Sequence, residues 1–288
     1  AGRVRLMPCE LTDPAALARV LAEEAPARLY HLAAESSVAA SFADPPGTVR
    51  ANLLATTALL EAAAGRDGIR VFNAASSDIF AAGPEPIRED SPMAPESPYA
   101  ISKRAGVEMA RLYRATRGLH VVNGFLFGHE SALRDTRFVT GKIVAGLADL
   151  ADGRTAEPVA LGNVEASREM THARDIARGI HLSLGREEAR DYVLGSGVLV
   201  RVRDFFDAAA RAAGFDPGWE GDGLAALCRD GAGGRVIARI DRRFFRPMRE
   251  APRRADATRA RELLGWQARG DLEGLAGEMV RAAREGGG

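Results

Sequence analysis

Short apolar runs and helical stripes alternate through the first half of the chain. Residues 3–10 alternate apolar and polar positions around Val4 and Leu6, and this pattern predicts a strand. Thr12-Asp13-Pro14 then opens a helix, with proline in its first turn. Residues 28–34 (RLYHLAA) predict the next strand, and residues 45–64 carry Val49, Leu53, Leu54 and Leu60 at helical spacing. Residues 71–76 predict a strand that ends in small side chains. A proline-rich loop runs over 82–98, a helix over 99–117 and an almost wholly apolar strand over 120–127. Strand and helix in alternation predict an α/β fold, a doubly wound parallel sheet with helices on both faces. Ligands of such sheets sit at the carboxyl ends of the strands.

The second half is less regular. Helices are predicted over 138–151, 173–184 and 202–213, with short strands near Val159 and over 191–194. Residues 214–234 are rich in glycine and read as loop. Two further helices are predicted near 257–264 and 272–284. The expected organisation is a dinucleotide-binding half over 1–155 and a smaller substrate domain over 156–288, whose chain crosses back to the sheet near 171–200.

Composition narrows the function. The 39 basic and 39 acidic residues cancel, which argues against a nucleic-acid or anionic-membrane partner. No run of 18 apolar residues suggests a membrane span, and no secretory leader is recognised. Cys9 and Cys228 make no disulfide framework, and no zinc spacing is present, so no metal is expected. A cytoplasmic enzyme is the expectation. Only two of the 39 basic residues are lysine, Lys103 and Lys142. Arginine and lysine differ most in proton chemistry, so these two positions stand out.

Tyr99 and Lys103 are spaced i, i+4 on the predicted 99–117 helix and so share one face. An ammonium beside a phenol favours phenolate, and such a tyrosine can take the proton of a hydroxyl as it is oxidised. Upstream, the 71–76 strand ends in Ser76-Ser77-Asp78, which places a hydroxyl and a carboxylate at the same edge of the sheet. His31 and His181 read as structural.

In these residues the chain resembles the extended short-chain dehydrogenase/reductases that act on nucleotide sugars, and among them the GDP-mannose 4,6-dehydratase family. The resemblance covers nearly the whole chain. It rests on Leu11-Thr12-Asp13, Leu32-Ala33-Ala34-Glu35-Ser36-Ser37, Ser76-Ser77-Asp78 and Ser97-Pro98-Tyr99-x-x-x-Lys103. Its more specific part is Asn123-Gly124-x-Leu126-Phe127-x-His129-Glu130-Ser131, followed by Phe138-Val139-Thr140-x-Lys142. Leu161-Gly162-Asn163, Arg168, His172-Ala173-x-Asp175, Phe245-Arg246-Pro247 and Leu264-Gly265-Trp266 follow in the family's order.

The resemblance implies a Rossmann-like sheet and an internal redox cycle on tightly held NADP, or NAD in its place. GDP-mannose would become GDP-4-keto-6-deoxy-mannose. In this reading Ser76, Asp78, Tyr99 and Lys103 are catalytic, Asp78 being the acid/base at C5. Glu10, Leu11, Leu32, Ala33, Ala34, Ser36, His129 and Arg134, with Tyr99 and Lys103, hold the cofactor. Asn123, Lys142, Arg168 and Arg246 hold the nucleotide sugar. A homodimer or homotetramer is implied.

Several positions depart from the family pattern. Asp78 replaces a glutamate and is shorter by one methylene, about 1.5 Å. Ser76 replaces a threonine, and Glu10 an aspartate. Arg168-Glu169-Met170-Thr171-His172 and Arg249-Glu250 differ near the expected nucleotide and sugar. The glycine-rich loop that cradles the pyrophosphate is missing from these 288 residues. Two expectations follow: that about 50 to 60 residues with the two opening strands precede this segment, or that it is a shortened, non-catalytic paralogue. A 4-epimerase or 4-ketoreductase on the same fold is the other alternative. Such an enzyme needs no acid/base at C5, so Asp78 favours the dehydratase.

Overall fold

The computed structural model describes residues 4–231, 234–245 and 252–286. Residues 4–10 form no strand, contrary to their alternating pattern. Val4 and Leu6 are 82% and 90% exposed, and the segment joins no ladder among the described residues. Alternation makes a strand only where a neighbouring strand accepts its hydrogen bonds.

From there the elements of the first half follow the predicted order. Helix α1 (Pro14–Glu24) starts where expected, because the Asp13 carboxylate accepts from the Ala15 N–H at 2.9 Å and Pro14 needs no partner. Strand β1 (Arg28–His31) and a short helix α2 (Val38–Ala43), capped by Ser37, come next. The run predicted over 45–64 is helical throughout. It consists of α3 (Pro45–Val49), a wider π turn (Arg50–Leu54) and α4 (Ala55–Ala64). Strand β2 (Arg70–Ser76) leads into a 3-10 turn (Ser77–Ile79), then α5 (Pro98–Arg117) and β3 (His120–Leu126).

The second half contains β4 (His129–Glu130), α6 (Val139–Ala151), β5 (Val159–Leu161), β6 (Ser167–Glu169), β7 (Thr171–His172) and α7 (Ala173–Ser183). After these come β8 (Tyr192–Leu194), β9 (Leu199–Arg201), α8 (Val202–Ala213), β10 (Pro217–Glu220), β11 (Leu227–Asp230), β12 (Val236–Ile240), α9 (Thr258–Leu264) and α10 (Leu272–Glu285). The 214–234 segment is therefore not a loop. Trp219 pairs with Cys228 across the antiparallel strands β10 and β11, and Gly221 and Gly223 take positive φ in the turn between them. Packing holds this hairpin down: Trp219 meets Phe206 of α8 edge to face at 5.4 Å and donates to Asp207 at 2.7 Å.

Strands β1-β2-β3-β8 form one sheet in that order, and every pairing is parallel. Because β2 and β3 are interior strands flanked by helices, they are apolar and buried almost throughout. A second sheet, β10-β11-β12-β5, lies in the other part of the chain. Its core joins α6, α8 and α10 through Ile143, Leu147, Phe205, Phe206, Leu275 and Met279. Helix α6 thus packs with the second core although it precedes residue 155. No helix among the described residues is long and apolar enough to cross a membrane.

Candidate active site

All four strands of the parallel sheet end on the same side, and a cleft of about 1010 Å³ opens there. β2 delivers Ser76 to it, and the following turn delivers Asp78. The Asp78 N–H donates to the Ser76 hydroxyl at 3.2 Å, which fixes the turn on the strand end. β3 delivers Leu126, and the chain running on from it into β4 delivers Phe127, Gly128 and His129. Glycine is required at 128, because a Cβ there would collide with the Glu169 carbonyl.

Helix α5 brings Tyr99 and Lys103. Its start is specified by Ser97, whose hydroxyl accepts from the Ala100 N–H at 3.1 Å, and by Pro98. Arg114 and Arg117 suit the last turn, and Gly118 ends the helix with φ of 65°. Tyr99 and Lys103 both line the cleft. Their relationship differs from the expected one. The Lys103 ammonium donates to the Ala74 carbonyl at 2.9 Å, and burial pushes its pKa down to about 8. The Tyr99 phenol is raised from its usual pKa, first by burial, while its hydrogen bond with Ser76 lowers it and the Asp78 charge raises it. In the free protein the phenol is therefore held neutral, with Ser76 as its partner.

A buried polar network supports this helix from behind. The His31 Nε2 lies 3.0 Å from the Thr56 hydroxyl, which donates to the Asn52 carbonyl at 2.6 Å. That hydroxyl has given away its one proton, so His31 must be the donor and carries its proton on Nε2. The Asn52 amide donates to the Ser102 hydroxyl at 3.0 Å, and Ser102 in turn donates to the Tyr99 carbonyl at 2.7 Å. Burial, and then the Lys103 charge, push His31 down to about 4. His31 is thus a neutral structural residue beside the candidate chemistry. Asn52, on the π turn, carries no motif in the sequence that would single it out.

The residues expected to bind cofactor divide into two groups. Leu32, Ala34, Ser36, His129 and Arg134 line the cleft. His129 Nδ1 bonds the Phe127 carbonyl at 2.8 Å, so Nδ1 carries the proton, and burial lowers its pKa. Arg134 is engaged internally: it bonds the Glu130 carboxylate at 2.5 Å and stacks on Phe138 at 4.5 Å. Thr140 donates to the same carboxylate at 2.7 Å. Glu10, Leu11 and Ala33, by contrast, do not line the cleft. The Glu10 carboxylate accepts from the Thr12 N–H and hydroxyl at 2.9 and 2.7 Å, capping the turn before α1, and Leu11 packs on the core behind it.

Of the expected substrate residues, Arg168 lies in the cleft. Asn123 does not. It is fully buried in the middle of β3, accepting from Asn73 at 2.8 Å and donating to Asp191 at 3.0 Å. Its carboxamide is used up by the fold. Lys142 also lies outside the cleft lining, with its ammonium 3.5 Å from the centre of the Phe244 ring. Arg246 lies outside the described residues. Glu169 and Arg137, which stand in the family's motifs without an assigned role, and Arg253, which stands in none, also line the cleft. The Glu169 carboxylate is buried, which raises its pKa. It accepts from the Ala255 N–H at 2.6 Å and from Ser196, joining β6 to two distant segments. No group of three or more acidic, histidine or cysteine residues among those described is placed to hold a metal ion.

A parallel sheet whose second strand presents a serine to the tyrosine of a Tyr-x-x-x-Lys helix defines the short-chain dehydrogenase/reductase class. Solved structures agree on the fold. That of RMD from Pseudomonas aeruginosa with NADPH superposes with a TM-score of 0.84 at 22% identity, covering 97% of this chain and 88% of that one. The dTDP-glucose 4,6-dehydratase DesIV from Streptomyces venezuelae, with NAD bound, gives 0.78 at 25% identity over 99% of this chain and 81% of that one. A family model for GDP-mannose 4,6-dehydratase matches residues 1–279. The GDP-mannose 4,6-dehydratase of Sinorhizobium fredii is 37% identical over 276 residues, 94% of this chain and 78% of the relative. The human enzyme is 31% identical over 285 residues, 98% of this chain and 76% of the relative. The chain belongs to the GDP-mannose 4,6-dehydratase family.

Proposed function

We propose that this chain is a nucleotide-sugar 4,6-dehydratase that converts GDP-mannose into GDP-4-keto-6-deoxy-mannose. The observation that carries the reading is the carboxylate of Asp78, set in the cleft two residues after the serine that bonds Tyr99. A simple oxidoreductase or epimerase has no use for an acid at that point.

The donor set fits the nicotinamide-ribose half of NADP, with NAD as the alternative. Lys103 is an ammonium with three protons, one of which goes to the Ala74 carbonyl, and Tyr99 stands one helical turn before it. Leu32, Ala34, Ser36 and His129 line the same cleft and would extend that contact. A bound NADP would supply the hydride chemistry, as acceptor from C4 of the hexose and donor to C6.

The protein's own groups move the protons. Tyr99 accepts the proton of the C4 hydroxyl as phenolate, the form that the Lys103 ammonium and the positive ring of a bound oxidised cofactor would favour over the neutral phenol of the free protein, with Ser76 fixing its direction. The ketone at C4 acidifies the C5 hydrogen. Asp78 takes that proton and gives it to the hydroxyl leaving C6, which departs as water. Arg168 holds the diphosphate, since a guanidinium fork matches two phosphate oxygens. The parallel sheet serves the cofactor and the second core serves the nucleotide sugar, with α6 on the substrate side by its packing.

Leu54, Ile101 and Leu112 are about half exposed along the π turn and α5, and they suit a homodimer or homotetramer built on these helices. We place the enzyme in the cytoplasm, where nucleotide-sugar chemistry is expected. Incubation with GDP-mannose and NADP, followed by mass spectrometry, tests the activity. The expected product is a 4-keto-6-deoxy sugar without net formation or loss of NADPH. Stoichiometric oxidation of NADPH would instead mark a ketoreductase.

A further inference from the structure

Arg253 reaches the reacting end of the cleft from the far end of the sequence. Its Nε donates to the Phe80 carbonyl at 2.9 Å, and it lines the cleft together with Ser76, Ser77 and Asp78. The backbone that follows it is fixed independently. The next residue but one, Ala255, donates to the buried Glu169 carboxylate at 2.6 Å. Ile87 N–H donates to the Arg254 carbonyl at 2.7 Å, and the Asp256 N–H donates to the Ile87 carbonyl at 2.8 Å. Arg253 is thus presented from a braced segment.

The turn it touches is short. Ser77–Ile79 is a single 3-10 turn, closed by the Phe80 N–H on the Ser77 carbonyl at 3.1 Å. Its start is held on β2 by the bond from the Asp78 N–H to Ser76. Its end is held by Arg253. Asp78 therefore stands between two fixed points, one on the sheet and one on the distant 252–256 segment.

We propose that Arg253 is a positioning residue for Asp78: by holding the Phe80 carbonyl it sets where the carboxylate meets C5 of the hexose. The inference rests on the dehydratase reading above. A carboxylate on a one-carbon stem has little reach of its own, so the backbone must bring it to the reacting carbon. A misplacement of about 1 Å can slow a step about a hundredfold. The affected step is the elimination. The C5–H bond breaks and its proton goes to Asp78. Its electron pair forms the C5–C6 double bond as the C6–O bond breaks, and the departing hydroxide takes the proton from Asp78 to leave as water. Oxidation at C4 precedes this step and uses Tyr99, so it is left untouched.

The test compares Arg253→Leu and Arg253→Lys with the unsubstituted chain on GDP-mannose and NADP. Arg253→Leu is expected to lower kcat about 10- to 100-fold, with KM for GDP-mannose within about twofold. In a single turnover NADPH should appear at the unsubstituted rate and then persist. In heavy water, deuterium uptake at C5 should slow in proportion to kcat. Arg253→Lys keeps a charged donor and should recover part of the elimination rate. If Arg253→Leu does not fold, the lysine variant carries the same readouts, with a smaller loss confined to the C5 step. Unchanged deuterium uptake overturns the inference, as does an equal loss of NADPH formation and elimination. No turnover by the unsubstituted chain overturns the functional reading and the inference together. Normal turnover with an indistinguishable Arg253→Leu overturns the inference alone.

Discussion

The Lys103 ammonium donates to the carbonyl of Ala74 at 2.9 Å, tying helix α5 to the strand that carries Ser76. The lysine is therefore a strut between the two elements that hold the candidate catalytic groups, as well as a charge beside the phenol. An arginine reaches further and presents a planar fork, so it cannot take this place. Lys103→Arg is expected to lower the rate of C4 oxidation about a hundredfold or more, measured as NADPH formation in a single turnover. A rate within threefold of the unsubstituted chain would undo the assignment.

Lys103 also sets an alkaline limb. Its pKa is pushed down to about 8 by burial, so the group is charged below that pH and neutral above it. A step that needs the ammonium weakens as pH rises through about 8. In the free enzyme kcat/KM should fall across that range. A profile flat to pH 10 would contradict it.

Asp78→Asn separates the two halves of the reaction. Oxidation at C4 should proceed, while elimination at C5 falls about a hundredfold or more. The Asp78 charge is one cause of the raised phenol pKa, so its removal should lower that pKa. Ultraviolet difference titration of Tyr99 reads this directly, and an upward shift would refute the electrostatic account.

Arg168→Ala should raise KM for GDP-mannose about tenfold, the loss of one charge-assisted contact to phosphate. NADP affinity should stay the same. Calorimetry with each ligand distinguishes the two, and equal weakening of both would move Arg168 out of the substrate site.

His31 predicts an acid instability. Its pKa is held down near 4 by burial and then by the Lys103 charge, against 6.5 for the ordinary group. The folded state therefore refuses a proton that the unfolded state accepts. Its contribution to stability is complete above pH 6.5 and is lost as pH falls through about 4. The loss is on the order of 3 kcal/mol. His31→Gln should flatten the dependence of the urea midpoint on pH between 6.5 and 4.

Much of the fold could be read from periodicity. Helices α5 and α8 carry apolar stripes with clear caps, and β2 and β3 are apolar runs too short for helices. The errors have physical causes. Residues 4–10 alternate correctly yet join no ladder among the described residues, because alternation records a side-chain preference and a strand needs a neighbour's backbone. In 214–234 the glycines drew attention from two four-residue strands, which depend on α8 packing against Trp219. In the cleft, a motif carried Ser76, Asp78, Tyr99 and Lys103. Asn123 and Lys142 were placed by motif order alone, and tertiary contacts claim both: Asp191 and Asn73 for one, Phe244 for the other. No local pattern gives Glu169 or Arg253 a role in the cleft. Their partners lie 86 and 173 residues away, a separation that no local reading bridges.

The buried Asp191 carboxylate receives Arg111 at 2.8 Å, Arg114 at 2.5 Å and the Asn123 amide at 3.0 Å. Both arginines lie on α5, toward the end opposite Tyr99. At 1.5 Å of rise per residue, the Arg111 backbone stands about 18 Å along the helix from that of Tyr99. A survey of inactivating substitutions should therefore find a second cluster at this remote anchor. Variants there would bind both ligands and keep every catalytic side chain, yet fail because the rod bearing Tyr99 has lost its mooring.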